Sequence, residues 1–286
     1  MSLLIRDARA EDKPAVIELT RTIWEGEDYL PYVFDDWLET TSGEFFVLEL
    51  DGRLAGLGRA LVSEEGDAWL EGGRIHPELQ GQGLASVMFA YQMHKVRRLG
   101  CRAARFTTAS DNLPVQHLAT ATGFQKITDS SLCEADPGGD FNAVVLGKME
   151  RDAAWDMIQA SDWWKATDGL KCAGWVWEVI TPARFDAWLQ AGDVWGWLEN
   201  GQLAGVMIAS RIQVHKEVVC GLATGSASAM TALAGALRAR ATGEYKHVEA
   251  IIPVELSATR EAFEAAGYRR LYEDLEQSLF HRVMKT

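Results

Sequence analysis

The sequence predicts an α/β (α+β) chain built as two tandem copies of one unit. Each copy is expected to be a mixed, mostly antiparallel sheet flanked by helices, with the second copy degenerate. Three observations predict it. Up to about residue 150 the periodicities run in the order β-α-α-β-β-β-α-β-α-β. A glycine-bearing loop, Gln80-Gly81-Gln82-Gly83-Leu84-Ala85-Ser86, joins a strand to a helix in the middle of that order. A similar series of hairpin, strand and helix follows later in the chain.

Taken in order, Ser2 to Asp7 reads as a first strand with Leu4 and Ile5 inside. Early acids and Pro14 start a helix at Ala10 that continues to about Trp24. Trp24 to Tyr32 reads as a loop, punctuated by Gly26 and Pro31, and Phe34 to Leu38 begins a second helix. Asp51-Gly52 predicts a hairpin turn between strands Phe45–Leu50 and Arg53–Val62. A strand from Asp67 to Ile75 follows, ended by Pro77, which has no N–H for a ladder. Leu84 to Leu99 places Leu84, Val87, Met88, Tyr91 and Val96 near helical spacing. Arg102 to Thr108 is a further strand. Asp111-Asn112-Leu113-Pro114 breaks it and starts a helix that ends at Gly123. Phe141 to Lys148 is expected to be the last strand of the first copy.

The second series repeats these signals. Residues 151–172 read as a helical, Trp-rich linker, with Trp155, Trp163 and Trp164. Trp175 to Ile180 reads as a strand, and Thr181-Pro182 starts a helix. Asn200-Gly201 repeats the Asp51-Gly52 hairpin, and Val218 to Ser226 stands where the strand and glycine loop belong. Ala229 to Arg240 is the following helix, and Gly267-Tyr268 echoes Gly123-Phe124. The expected domains are therefore 1–150 and 173–286, joined by 151–172.

Composition narrows the function. Hydrophobic residues are 48% of the 286, enough for a sizeable core. The net charge is −13, of which −10 falls up to Glu150 and −3 beyond it. A nucleic-acid partner is not expected, because a phosphate-binding face needs a basic stripe. No apolar run has the length of a membrane span and no signal-like block opens the chain, so a cytoplasmic protein without a membrane partner is expected. Cys101, Cys133, Cys172 and Cys220 lie far apart with no CxxC pair, which argues against a zinc site and a disulfide framework. No metal is expected. Monomer and homodimer both stay open.

The central loop carries the chemistry. Glycines let a backbone approach a ligand with no Cβ in the way. The free N–H groups of the helix's first turn, from Gly81 to Ser86, then point at an anion, with the positive end of the dipole behind them. The loop lacks the lysine and Ser/Thr of a nucleoside-triphosphate loop and does not fit a dinucleotide fingerprint. It fits Gln/Arg-x-x-Gly-x-Gly/Ala, filled by Gln80, Gly83 and Ala85 after a strand ending in His76-Pro77-Glu78. In this it resembles the acetyl-CoA motif of the GCN5-related N-acetyltransferases (the GNAT superfamily), here in a tandem two-domain form. The resemblance covers about the first 150 residues. The second copy has no such motif, so acetyl-CoA binding is not expected there.

The resemblance implies acetyl transfer from acetyl-CoA, as co-substrate, to an amine. The amine must lose its proton to attack, and the thioester oxygen must be stabilised as charge builds on it. Glu71, on the strand leading into the loop, matches a position where many members keep a base. Main-chain groups at Gly73, Arg74 and Ile75 are implied to face the thioester. Asn112 is either a contact to the pantetheine or its phosphate, or only a helix cap. The family's usual acid, a tyrosine four residues before the Gly-Phe, is here Ala119. His117, Tyr91 and Tyr29 remain as candidates, or no acid is needed.

Between the first two predicted helices, Glu25, Asp28, Tyr29 and Tyr32 set acids beside aromatics, suited to an ammonium or imidazolium group, or simply to a solvated face. Gly26-x-Asp28-Tyr29-Leu30-Pro31, with Trp37 after it, and Glu71-Gly72-x-x-Ile75-x-Pro77 are similar to the histidine N-acetyltransferase-like branch. That likeness implies a small amine or free amino acid as acceptor. The alternatives are acetylation of a protein or peptide, and a non-catalytic CoA-binding sensor.

Overall fold

A computed structural model of the chain describes residues 2–212, 216–241 and 245–284. In chain order the elements begin β1 (Leu3–Asp7), α1 (Lys13–Thr20), α2 (Leu30–Glu39), β2 (Gly43–Leu50), β3 (Arg53–Val62), β4 (Asp67–Ile75), α3 (Leu84–Arg98), β5 (Ala103–Ala109) and α4 (Leu113–Ala121). They continue β6 (Gln125–Ala135), β7 (Val144–Val145), α5 (Arg151–Ala160), α6 (Asp162–Thr167), β8 (Leu170–Ala173), β9 (Val176–Val179), α7 (Pro182–Ala191), β10 (Val194–Glu199), β11 (Gln202–Ile212) and β12 (Glu217–Gly225). The last are α8 (Ala227–Arg240), β13 (His247–Pro253), α9 (Ser257–Ala265), β14 (Arg269–Arg270) and β15 (Glu276–Val283). No described helix is long and apolar enough to cross a membrane.

The chain forms two compact units. The first is Met1–Phe106, Pro114–Gln125 and His281–Thr286; the second is Thr107–Leu113 and Lys126–Phe280. These divisions differ from the boundary expected at residue 150. Gln125–Ala135, read as no element from sequence, is an eleven-residue strand. The strand expected over Phe141–Lys148 shrinks to Val144–Val145, paired with β10. Residues 151–172 are not a linker, because α5, α6 and β8 belong to the second unit. Trp163 is 1% exposed there, and its Nε1 donates to the Leu170 carbonyl at 3.3 Å.

In the first unit the strands lie in the order β1-β2-β3-β4-β5. All neighbours are antiparallel except β4 and β5. Asp51 and Gly52 both have positive φ, 49° and 79°, as a twisted two-residue hairpin turn requires. The helix expected to begin near Phe34 starts earlier, at Leu30, with Pro31 in its first turn, where a missing N–H costs nothing. Leu30, Val33, Phe34 and Trp37 make a buried stripe at helical spacing. The stripe packs on Phe45, Val47 and Leu57 of the sheet and on Val16 and Leu19 of α1. Each such side chain contributes roughly 1.5–3 kcal/mol on burial. On the other face α3 buries Leu84, Met88, Phe89, Gln92, Met93 and Val96, while Val87 stays exposed.

The second unit has the strand order β6-β13-β12-β11-β10-β7, with β12 and β13 parallel. Asn200 and Gly201 reproduce the left-handed turn, with φ of 52° and 78°. The four cysteines are free and buried. Burial pushes the Cys172 thiol up to about 12 and the Cys133 thiol up to about 11, so both stay protonated and inert.

Candidate functional site

The site begins at a bulge in β4. The ladder between β3 and β4 slips between Leu57 and Arg59, leaving one extra residue on β4. Gly72 takes up the irregularity with φ +66°, and a Cβ there would stand 2.6 Å from the Trp37 ring. Only glycine fits both the conformation and the contact. Across β4, the parallel ladder with β5 comprises Asp67–Ala103, Ala68–Ala104 and Trp69–Arg105, and ends there. From Leu70 onward that edge of β4 is released from β5.

Glu71 stands at the point of release. Its Oε1 accepts from Arg59 Nη1 at 2.7 Å, and Oε2 has no protein donor among the described residues. Its side chain is 17% exposed. Burial raises its pKa above the ordinary value, with Arg59 pulling the other way. Arg59 is held on two sides: its guanidinium lies 4.7 Å from the Trp37 ring centre, and its carbonyl accepts from Gln92 Nε2 at 3.2 Å.

Beyond the bulge, Gly73 faces Met88 of α3, whereas Arg74 turns to the α2 side. Arg74 Nε donates to Asp28 Oδ2 at 2.8 Å, and Asp28 Oδ1 accepts from the Leu30 N–H at 3.0 Å. Asp28 is 1% exposed, so the loop expected to offer free acids has this one buried and paired. Its carboxylate neutralises Arg74 and caps the first turn of α2, and is not free to hold an acceptor's cation. Glu25 and Tyr32 are exposed, Tyr32 at 79%. The Arg74 guanidinium lies 4.6 Å from the Trp24 ring centre and 5.6 Å from that of Tyr29. Burial pushes the Tyr29 phenol up to about 12, with Arg74 opposing and Glu71 adding.

The glycine loop follows. A 3₁₀ turn, Pro77–Leu79, is capped by His76, whose Nδ1 accepts from the Glu78 N–H at 3.3 Å. Gln80 Nε2 reaches back to the Ile75 carbonyl at 3.4 Å. Gly81 and Gly83 have φ of 75° and 80°, and a Cβ on either would meet nothing within 4 Å. Gly83 is the N-cap of α3, with no side chain closing it. The N–H groups of Gly81, Gln82, Gly83, Leu84 and Ala85 donate to no protein acceptor among the described residues. Ser86 N–H alone turns inward, to the Gly83 carbonyl at 3.1 Å. Five undirected donors beside open space at a helix N-terminus make a cradle for an anion.

The matching corner of the second unit is closed. β12 passes into α8 through Ser226 alone, whose Oγ accepts from the Ala229 N–H at 3.1 Å. Glu199 Oε1 accepts from Ser228 Oγ at 2.6 Å and from Ser226 Oγ at 3.2 Å. A side-chain cap and a carboxylate thus occupy the place where an anion would bind. By the register of the bulge in β12, either Cys220 or Gly221 stands where β4 has Glu71.

The structure brings Glu71, Arg74, Tyr29 and Asp28 together on one face and places Gln80 to Ser86 beyond the same strand. Asn112 belongs to the second unit, where its Nδ2 donates to Thr108 Oγ1 at 3.1 Å. Of the acid candidates, Tyr91 packs at a tilt against Phe46 on the α3 side, beside Lys95. His117 is exposed, and Ala119 is fully buried. Tyr29 alone of the three stands on the face of Glu71. Arg59 and Trp24 were not legible as site residues from the sequence, whereas Trp37 had entered through the string that follows Gly26. The alternation of β3 offered a signal only for Arg59, a charge inside an otherwise apolar strand.

Residues 6–124 match the family described as "Acetyltransferase (GNAT) family".

This part of the chain is similar to the GNAT family.

Across its whole length the chain also superposes on solved structures, a likeness of fold alone. A GCN5-related N-acetyltransferase from Sphaerobacter thermophilus has TM-score 0.67 at 13% identity, covering 99% of this chain and 96% of that one. A tandem GNAT protein from the clavulanic acid biosynthesis pathway has TM-score 0.57 at 13% identity, covering 100% and 99%. Among curated proteins, the histidine N-acetyltransferase of Oreochromis niloticus is 29% identical over 103 residues, 35% of this chain and 31% of that protein. That of Scomber australasicus is 29% identical over 85 residues, 29% of this chain and 25% of that protein. The chain thus spans about a third or less of the length of these relatives.

Proposed function

We propose that this chain is an acetyl-CoA-dependent N-acetyltransferase whose acceptor is the amine of a free amino acid or similar small molecule. One observation carries the reading: a part-buried glutamate with one free oxygen stands where β4 parts from β5, and an open N–H cradle lies at the end of the same strand. The cradle suits a pyrophosphate, and the released edge of β4 offers main-chain groups to an extended chain such as pantetheine. Residues Gly73 to Ile75 at that edge supply the main chain that would face a thioester.

In this reading Glu71 Oε2 takes the proton from the acceptor's ammonium, directly or through water, and the neutral amine attacks the thioester carbon. A C–N bond forms, the C–S bond breaks, and the thiolate leaves with the electron pair and is protonated from solvent or from a nearby acid. Arg59 holds Glu71 in place through Oε1, leaving Oε2 for the proton. Burial keeps the carboxyl's pKa nearer the working pH than that of a solvated glutamate. The small-molecule acceptor is supported by the partial likeness to histidine N-acetyltransferases.

The test is release of free thiol from acetyl-CoA in the presence of single amines and amino acids. Thiol release dependent on a free amino acid is the expected result. Turnover only with peptides would move the acceptor class, and tight acetyl-CoA binding with no turnover would make the chain a binding module.

A further inference from the structure

Arg74 has one nitrogen that the fold leaves unused. Nε is taken by Asp28 and Nη1 by the Gly73 carbonyl at 3.1 Å, while Nη2 is out of water and makes no well-formed hydrogen bond. The Tyr29 hydroxyl comes close enough for Arg74 to lower its pKa, but does not satisfy Nη2. A guanidinium nitrogen left without an acceptor is costly, and such groups in folded proteins call for an explanation. The Trp24 ring covers this one. That ring is itself 60% exposed, and its backbone is left-handed, φ 46° and ψ 48°, followed by Glu25 at φ 58°. Two successive non-glycine residues in that region are held there against their intrinsic backbone preference. A covering residue in a strained turn is inexpensive to displace.

We infer that Arg74 Nη2 is the recognition point for a carboxylate on the acceptor, reached when the Trp24 ring swings aside. This deepens the proposed function and rests on it for the identity of the amine end. The bulge at Gly72 sets Glu71 and Arg74 on the same face of β4, base before the bulge and cation after it. An α-amino acid carries its ammonium and carboxylate on one carbon, with the opposite polarity to that pair. Asp28 is the positioning residue: it fixes the guanidinium through Nε and leaves Nη2 to donate a charge-assisted hydrogen bond to an anion's oxygen.

The experiment is calorimetric binding of free amino acids, beginning with L-histidine, each paired with the amine that lacks its carboxylate, histamine in that case. Wild-type protein should bind the acid at least tenfold more tightly than the amine. Arg74→Gln with Asp28→Asn, which leaves no buried charge unpaired, should bring the ratio near one, and Arg74→Lys should restore part of it. Binding of the acid should change tryptophan emission, and Trp24→Phe should remove that change. A ratio that survives in the double variant, or a protein that binds no free amino acid, overturns the inference. The two readings fail separately. Arg74-dependent binding without thiol release from acetyl-CoA would remove the enzyme and keep the carboxylate site. Thiol release with acid and amine bound equally well would keep the enzyme and remove the site.

Discussion

Glu71 and Arg74 face the same side of the sheet although three positions separate them. In a regular strand, residues three apart point to opposite faces. The extra residue in β4 reverses the alternation, so Glu71 meets Arg59 beneath Trp37, and Arg74 meets Asp28 beneath Trp24. Gly73, between them, faces α3. The groups proposed for proton transfer and for charge recognition are therefore neighbours through one glycine's conformation.

Gly72→Ala should be among the most damaging single changes in the first unit. It forces a Cβ to 2.6 Å from Trp37 and a φ of +66° on an L-residue. The conformational part alone costs about 1–2 kcal/mol. Thermal unfolding should show a clear drop in Tm. Acetyl transfer should fall further than stability accounts for at a temperature where the variant is still folded. A variant of wild-type stability and activity would mean the bulge relaxes freely.

Glu71→Gln should lower kcat with little effect on acetyl-CoA affinity. The base works ionised, and burial holds its pKa above the ordinary 4.5, so wild-type kcat/KM should fall on the acid side through that raised value. The variant should lose this limb, and its deficit should shrink at high pH, where solvent removes the amine's proton. Full rate at pH 7 in Glu71→Gln would move the base elsewhere.

Gly83→Asp should weaken acetyl-CoA binding by roughly tenfold or more, since it sets a carboxylate where five N–H groups await an anion. Gly83→Asn is the control. Asparagine accepts a left-handed φ about as well as aspartate does, without the charge, and should bind considerably better. Calorimetry on both separates charge from backbone strain. Equal affinities for the two would remove the electrostatic account of the cradle.

The stoichiometry of acetyl-CoA should be one per chain. The second unit's helix α8 begins at a side-chain cap with Glu199 beside it, which opposes a phosphate there. Two sites per chain by calorimetry or equilibrium dialysis would overturn this reading of the second unit.

The local signals were legible in the chain itself. Asp51-Gly52 and Asn200-Gly201 marked both hairpins, because two residues with positive φ are scarce outside such turns. The strand Asp67–Ile75 and the helix after Gly83 followed from a proline stop, a glycine cap and a change of period, all set by neighbouring residues. The Gln80–Ser86 loop was reached the same way, and Glu71 through the family resemblance that the loop carries. What tertiary structure alone decided was long-range. Asp28 read as a free acid, for an acceptor's cation or for solvent, and is instead buried against an arginine 46 positions away. Arg59 acquired meaning only when β3 was laid in register beside β4 with a slip at the bulge. The chain's last residues, from His281, joined the first unit, and Lys126 onward joined the second. Turn and cap preferences are written in a few adjacent side chains. Charge pairing, register and the choice of sheet depend on which distant surfaces meet, and no window along the sequence contains both partners.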